Sequence, residues 1–288
     1  MAKQIAVVTG ATSGIGLETA RGLALGDYHV VMACRNMEKA SALAMEISEQ
    51  SGNSNIEVLN VDMASLQSIR DFAEGFTAKY DQLDVLINNA GVFCDRVEKT
   101  EDGFEMTMGV NYLGSFLLTR LLLPVIKETP EARIINISSK AAFYARLKAD
   151  ENIFTDKKSG FRAYSKSKLA QLLFNIELAG ELKRTDISAN AAYPGRVATN
   201  IWQGSSLLMK IVEPLMMRNS ISAKEGAETG LYLAMSPDLE GLSGYLFHGE
   251  DILDYNKTCL NKKLRKELIK LSFDAVGLRD DRPFGTYY

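Results

Sequence analysis

Five short, nearly unbroken apolar runs, each followed by a longer stretch of helical periodicity, constrain this chain more than any other feature. The runs are QIAVVT (4–9), HVVMAC (29–34), IEVLNV (56–61), LDVLIN (83–88) and RIINIS (133–138). Strands wet on one face alternate apolar with polar residues; unbroken runs mark strands buried on both faces. Helical periodicity over 16–26, 38–50, 65–80 and 104–127 fills the gaps. Strand, helix and strand at this spacing imply right-handed crossovers and a parallel sheet with helices on both faces. Two further runs, ISANAAY (187–193) and GYLFHG (244–249), bring the expectation to seven mainly parallel strands. No repeat, low-complexity stretch or linker divides the 288 residues, so one α/β domain is the simplest account.

Composition removes several classes of function. Thirty-three basic against 36 acidic residues leave a net charge of -3, with no block of like charge, so nucleic acid is not an expected partner. Three cysteines, Cys34, Cys94 and Cys259, lie far apart without a CxxC, and read as reduced intracellular thiols. Only His29 and His248 could serve a histidine-dependent hydrolase or metal site, and neither sits in a motif for one, so no metal is expected. The opening MAKQIAVVTG lacks a signal pattern and no run of 18 apolar residues occurs. The expectation is a soluble, cytoplasmic protein without a membrane anchor.

The first run leads into Thr9-Gly10-Ala11-Thr12-Ser13-Gly14-Ile15-Gly16 and then a helix. Glycines let a backbone turn sharply and approach a pyrophosphate, and the helix N-terminus behind supplies free N–H groups and a favourable dipole. The spacing is TGxxxGxG rather than GxGxxG. Near the end of the second run an acid would suit the ribose 2′-hydroxyl of NAD, and a basic residue the 2′-phosphate of NADP. Here Cys34 stands at the acid's position, followed by Arg35 and Asn36. A guanidinium can grip phosphate with two hydrogen bonds, so NADPH/NADP+ is the expected cofactor on a doubly wound, Rossmann-type fold.

Later runs end in further polar elements: Asn88-Asn89-Ala90-Gly91, Asn111 in a helical stretch, Ser138-Ser139, and Tyr164-Ser165-Lys166-Ser167-Lys168. Ligands in such sheets collect at the carboxyl ends of strands, which directs these elements to one crevice. Tyr164 and Lys168, four apart, share a helix face, while Lys166 points elsewhere. The pairing predicts that the Lys168 ammonium lowers the phenol's pKa from its free value near ~10. After these motifs, residues 201–217 (IWQGSSLLMKIVEPLMM) are rich in Trp, Leu and Met. They read as a lid over an apolar pocket, spanning about 200–225, or as a packed helix. Phe143, Tyr144 and Phe161 are candidate apolar walls.

Taken together, TGATSGIG, NNAG, Asn111, Ser139, Tyr164-x-x-x-Lys168 and Tyr193-Pro194-Gly195 resemble the short-chain dehydrogenase/reductase family, in its order, over residues 9–199. VVMACRNMEKA, VNYLGSFLLTRLLLP, YSKSKLAQLLF and the 25-residue step from Ser139 to Tyr164 are similar to its retinol dehydrogenase-like subgroup. The resemblance implies that residues 1–130 mainly bind the dinucleotide and 131–288 carry catalysis and the substrate. It implies that Ser139 holds the substrate oxygen, Tyr164 transfers the proton, Lys168 also binds the nicotinamide ribose, and Asn111 holds a relay water. Gly10, Thr12, Ser13, Gly14, Ile15, Gly16, Arg35 and Asn36 would surround the adenosine and phosphates. Asp62 and Met63 would meet the adenine, Asn89, Ala90 and Gly91 the cofactor's flank, and Pro194, Gly195, Val197 and Thr199 the nicotinamide end.

The expected activity is NADPH-dependent interconversion of an aldehyde or ketone and an alcohol, on an apolar, retinal-like or other lipophilic carbonyl. The alternatives are an NADPH-binding regulatory or scaffold protein on the same fold and a double-bond reductase. By analogy with the wider family, a homo-oligomer through the helices bearing Asn111 and Tyr164 is a further expectation.

Overall fold

A computed structural model of the chain describes residues 3–150, 152–155, 159–197 and 220–280. The first three runs form β1 (Ile5–Thr9), β2 (His29–Cys34) and β3 (Ile56–Asn60), connected by α1 (Gly14–Leu25) and α2 (Met37–Ser51). The helix α3 (Leu66–Lys79) returns the chain to β4 (Val85–Asn88) on the other side of β1. From there α4 (Met106–Lys127), β5 (Arg133–Ile137), α5 (Gly160–Leu182), β6 (Ser188–Ala192), α6 (Ala223–Met235), β7 (Leu246–His248) and β8 (Asp251–Leu253) follow, and α7 (Lys262–Ala275) closes the described chain. The sheet order is β3-β2-β1-β4-β5-β6-β7-β8. All neighbours are parallel except β7 and β8. Winding reverses between β1 and β4, and there the connections part to leave a crevice at the strands' carboxyl ends.

The sheet therefore has eight strands where seven were expected. The extra one, β8, reads Asp-Ile-Leu, is largely exposed, and pairs antiparallel across the turn at Gly249, whose φ is 60°. Three residues of mixed polarity at an edge carry no periodicity to detect. β3 also departs from the expectation of burial on both faces: it is an edge strand, half-buried along most of its length.

Side chains alternate between two cores, as successive strand residues must. Val7 and Val31 point to the face covered by α3, α4, α5 and α7, where Phe76, Phe116, Phe174 and Phe273 pack. Ala6, Val8, Val30 and Met32 point to the face covered by α1, α2 and α6, against Leu23, Ile47 and Leu233. By length and composition α4 could span a membrane, but 78% of that window is buried inside the protein, which makes it a core helix here.

Polar side chains inside the first core form a connected chain. Asn88 donates to Thr119 Oγ1 (2.9 Å) and Asn136 Oδ1 (3.0 Å), Asn136 to Asn175 Oδ1 (3.0 Å), and Asn175 to the Tyr255 hydroxyl (3.3 Å). This chain of amides ties β4 and β5 to α4, α5 and the segment before α7. Arg120 of α4 meets Glu181 of α5 at 2.6 Å and lies 5.0–5.5 Å from the rings of Phe116, Phe174 and Phe273.

The last of these rings belongs to α7, which lies over α4 and α5. Ser272 hydrogen-bonds Tyr112 at 2.7 Å, Phe273 meets Phe116 edge-on at 5.1 Å, and Arg265 pairs with Glu177 at 2.7 Å. The face assigned to an oligomer contact by family analogy is thus covered by the chain's own C-terminal helix. Association through that face would have to displace α7.

Candidate active site

A crevice of about 840 Å³ opens at the carboxyl ends of the strands, within the range of small-molecule and cofactor sites. The turn after β1 forms its floor. Gly10 and Gly14 take φ of 68° and 55°, a left-handed conformation natural to glycine. A Cβ on Gly10 would come within 3.0 Å of the Ala90 backbone, and one on Gly16 would collide with the Asn89 amide and the Gly10 carbonyl. Buried polar side chains hold this shape. Thr9 Oγ1 accepts the N–H groups of Asn89 and Ala90, both at 3.0 Å, and donates to the Ile87 carbonyl at 3.2 Å. Asn89 donates to the Thr9 carbonyl at 2.8 Å. Asn89 is therefore the brace of the turn as well as part of its lining. Asn88, its neighbour in the motif, faces the amide chain in the core instead.

Thr12, Ser13, Ile15, Ala90 and Gly91 border the same space. Ser13 is the N-cap of α1 and its side chain makes no cap hydrogen bond. At the adenosine end, Cys34, Arg35, Asn36, Asp62 and Met63 line the crevice. Burial pushes the Cys34 thiol up to about 11, so it stays neutral. The Arg35 guanidinium is exposed and 3.7 Å from Asp62. Asn36 caps α2, accepting the Lys39 N–H at 2.9 Å. A dinucleotide fits this cradle, with glycine backbone below and Arg35, Asn36, Asp62 and a neutral Cys34 thiol at its far end.

The other end gathers Ser138, Ser139, Tyr164, Lys168, Pro194, Gly195 and Val197. The two serines separate cleanly. Ser138 is buried and its hydroxyl donates to the Lys168 carbonyl at 3.4 Å. Ser139 caps a short turn of 3₁₀ helix (Lys140–Tyr144), borders the crevice, and hydrogen-bonds the Tyr164 phenol. Lys168 Nζ lies 5.8 Å from the Tyr164 ring centre and donates to the Ile137 carbonyl (2.8 Å) and Gln171 Oε1 (2.9 Å). Gly195, with φ of 86°, and Val197, bridged to Ile221, shape the wall beside them.

The electrostatics reverse one expectation. Burial raises the Tyr164 phenol to about 12, with the Ser139 hydrogen bond lowering it only in part. Burial also pushes the Lys168 amine down to about 7, so it is fully charged only below neutral pH. Desolvation acts on both groups and disfavours the charged form of each, so the phenol is raised rather than acidified. At neutral pH Tyr164 is a protonated donor.

Asn111 stands behind the crevice wall. It lies in a π-helical turn (Gly109–Gly114) inside α4, fully buried, and does not border the crevice. Its side chain accepts the Val92 N–H at 2.7 Å and donates to the Val92 carbonyl (3.1 Å) and Ser167 Oγ (3.0 Å). Both amide hydrogens are thereby used within the protein. Ser167 in turn donates to the Tyr164 carbonyl at 2.8 Å, so Asn111 positions the Tyr164 helix.

Thr199 and residues 201–217 lie outside the described residues. The end of the expected lid does not fit that role: Ser222 and Glu225 form a capping box, and residues 223–225 are the first turn of α6. His248 sits against Tyr193, its Nδ1 3.0 Å from that carbonyl, and His29 lies at the opposite end of β2. Among the described residues no acidic, histidine or cysteine cluster could hold a metal.

Sequence reasoning missed Gln171, which holds Lys168, and Phe93, whose ring is 5.9 Å from that of Tyr164. It also missed Lys140, 5.2 Å above the Tyr193 ring, and Arg196, both on the crevice. Only Lys140 carried a signal, as the residue directly after Ser139.

The family model of the short chain dehydrogenases matches residues 4–207. Mouse retinol dehydrogenase 12 is 39% identical over 96% of this chain and 87% of its own length. Human polyprenol dehydrogenase is 37% identical over 96% of this chain and 86% of its own. Among solved structures, an uncharacterised protein from Mycobacterium paratuberculosis superposes with a TM-score of 0.77 at 31% identity, covering 98% of this chain and 96% of that one.

Proposed function

Since the chain belongs to the short-chain dehydrogenase family, and is thereby a nicotinamide-dependent oxidoreductase of carbonyls and alcohols, we propose that it uses NADPH to reduce an apolar aldehyde or ketone. The observation that carries the reading is the pair of hydrogen-bonded hydroxyls, Ser139 and Tyr164, on the crevice wall with Lys168 behind them.

When bound, the nicotinamide supplies the hydride. Gly10 to Gly16 would hold the pyrophosphate, Arg35 the 2′-phosphate, Asp62 and Met63 the adenine, and Lys168 the nicotinamide ribose. Ser139 and Tyr164 hydrogen-bond the substrate oxygen as negative charge builds there. Tyr164 gives that oxygen its proton, and its raised pKa keeps it in the donating form at neutral pH. Lys168, poised near 7, returns a proton towards the phenol. The same groups serve the reverse oxidation; preference for NADPH biases the cellular direction to reduction. The retinol- and polyprenol-named relatives support an apolar substrate. The cytoplasmic setting belongs to this proposal as well, supported by three unpaired cysteines.

The test is a panel of carbonyl compounds with NADPH and NADH, followed by cofactor absorbance. Stereospecific hydride transfer with NADPH favoured is the expected result. Cofactor binding with no turnover of any carbonyl would revive the alternative of a regulatory or scaffold protein.

A further inference from the structure

A second cavity, of about 740 Å³, lies beside the crevice, and Tyr144 and Phe161 border both. Their rings stand 6.4 Å apart and are among the most exposed aromatic groups of the chain, 77% and 50%. Among the described residues, the second cavity is bordered by Arg146, Lys148, Arg162 and Lys166 and by one acid, Asp150. Asp150 accepts the Asn152 N–H at 3.1 Å. Arg146, Lys148 and Arg162 have no carboxylate partner among the described residues. In a chain of net charge -3, four cations on one concave wall focus a local positive potential.

A second observation points to a ligand. Ser165 follows Tyr164 directly, is only 3% exposed, and borders this cavity. Its Oγ has no hydrogen-bond partner among the described residues, an arrangement that folding disfavours unless an acceptor arrives. The wall is built from the first two turns of α5, whose N-cap Ser159 makes no cap bond and instead donates to the Asp95 carbonyl at 3.0 Å. The helix end adds its own positive partial charge.

We infer that the second cavity is an anion subsite, and that the substrate is an oxocarboxylate. Its carbonyl lies at Tyr164, its apolar chain crosses Tyr144 and Phe161, and its carboxylate sits among Arg146, Lys148, Arg162 and the Ser165 hydroxyl. The inference rests on the carbonyl reduction proposed above. The carboxylate takes no part in the chemistry: hydride goes to the carbonyl carbon, the proton to its oxygen, and an hydroxy acid leaves.

The test compares ω-oxo fatty acids with their methyl esters, chain length by chain length, as kcat/KM with NADPH. The acid is favoured by about tenfold or more, the preference fades with added salt, and the double variant Arg146→Gln/Arg162→Gln abolishes it while leaving ester reduction unchanged. Both arginines are exposed, so the variant folds. Equal rates for acid and ester, or an acid preference that survives the double variant, overturn the inference and leave the reductase reading standing. Titration with dodecanoate, read by calorimetry, decides the subsite without turnover. Binding about tenfold weaker in the double variant supports it; equal binding sinks it, whatever the panel shows.

Discussion

The two ends of the crevice are built on different principles. At the dinucleotide end the shape is backbone, and buried side chains are consumed in fixing it: Thr9 Oγ1 makes three hydrogen bonds, and the Asn89 amide fills the space a Cβ on Gly16 would take. At the far end the walls are side chains, with Tyr144 and Phe161 exposed, and the adjoining cavity adds exposed Arg146 and Arg162. A backbone cradle admits few sequences; a side-chain wall admits many. Between the two ends stand Ser139, Tyr164 and Lys168, held from behind by Asn111, Ser167 and Gln171.

The contrast can be broken in several places. The largest effect is expected at the junction: Tyr164→Phe lowers turnover by about 10³-fold or more, while the dissociation constant for NADPH, measured by fluorescence, stays within about threefold. Retained turnover would remove the proton donor from the account. Next, Arg35→Ala reduces the ratio of kcat/KM for NADPH over NADH by about 10- to 100-fold and leaves the NADH rate alone, because only a charge-assisted phosphate contact is lost. An unchanged ratio would place 2′-phosphate recognition elsewhere.

Stability sharpens the comparison further. Gly16→Ala destabilises the fold by about 1–3 kcal/mol in urea unfolding, since its methyl has no free space. Phe161→Ala, on the exposed wall, stays within about 0.5 kcal/mol. A slope with pH sharpens it too. With Lys168 near 7 when folded and 10.5 unfolded, the unfolded chain binds more protons between those values. This group therefore makes the chain more stable as pH rises from 7, and Lys168→Met flattens the dependence. Unfolding of both forms at about pH 7 and 8 checks it, because the cysteines, near 9.0 unfolded and held higher when folded, contribute equally to the two proteins.

Legibility followed the same division. TGATSGIG announces itself because glycine is almost irreplaceable where φ is positive and backbones touch, and β1, β2 and β4 show as unbroken apolar runs because both faces are covered. Tyr164 and Lys168 could be paired from their spacing on a helix. Their protonation could not, because it depends on how much water burial removes, and the spacing gave a phenol shifted down where burial shifts it up. Asn111 was visible as a residue but not in its task, since its hydrogen bonds to Val92 and Ser167 cross between elements far apart in sequence. Gln171 looks like any helical glutamine. The charged stretch between Ser139 and Tyr164 has no period at all, and its cations converge only once α5 sets the wall they share.

The helix that closes the described chain has a wider bearing. Ser272 and Phe273 are its grip on Tyr112 and Phe116, two turns of α4 that also carry Asn111. The chain's last described helix thus stands guard over the scaffolding of its proton donor. A truncation before Lys262 would strip a greasy seam bare, loosen the alignment of Tyr164 from some distance away, and invite the exposed rings of neighbouring molecules to stick together.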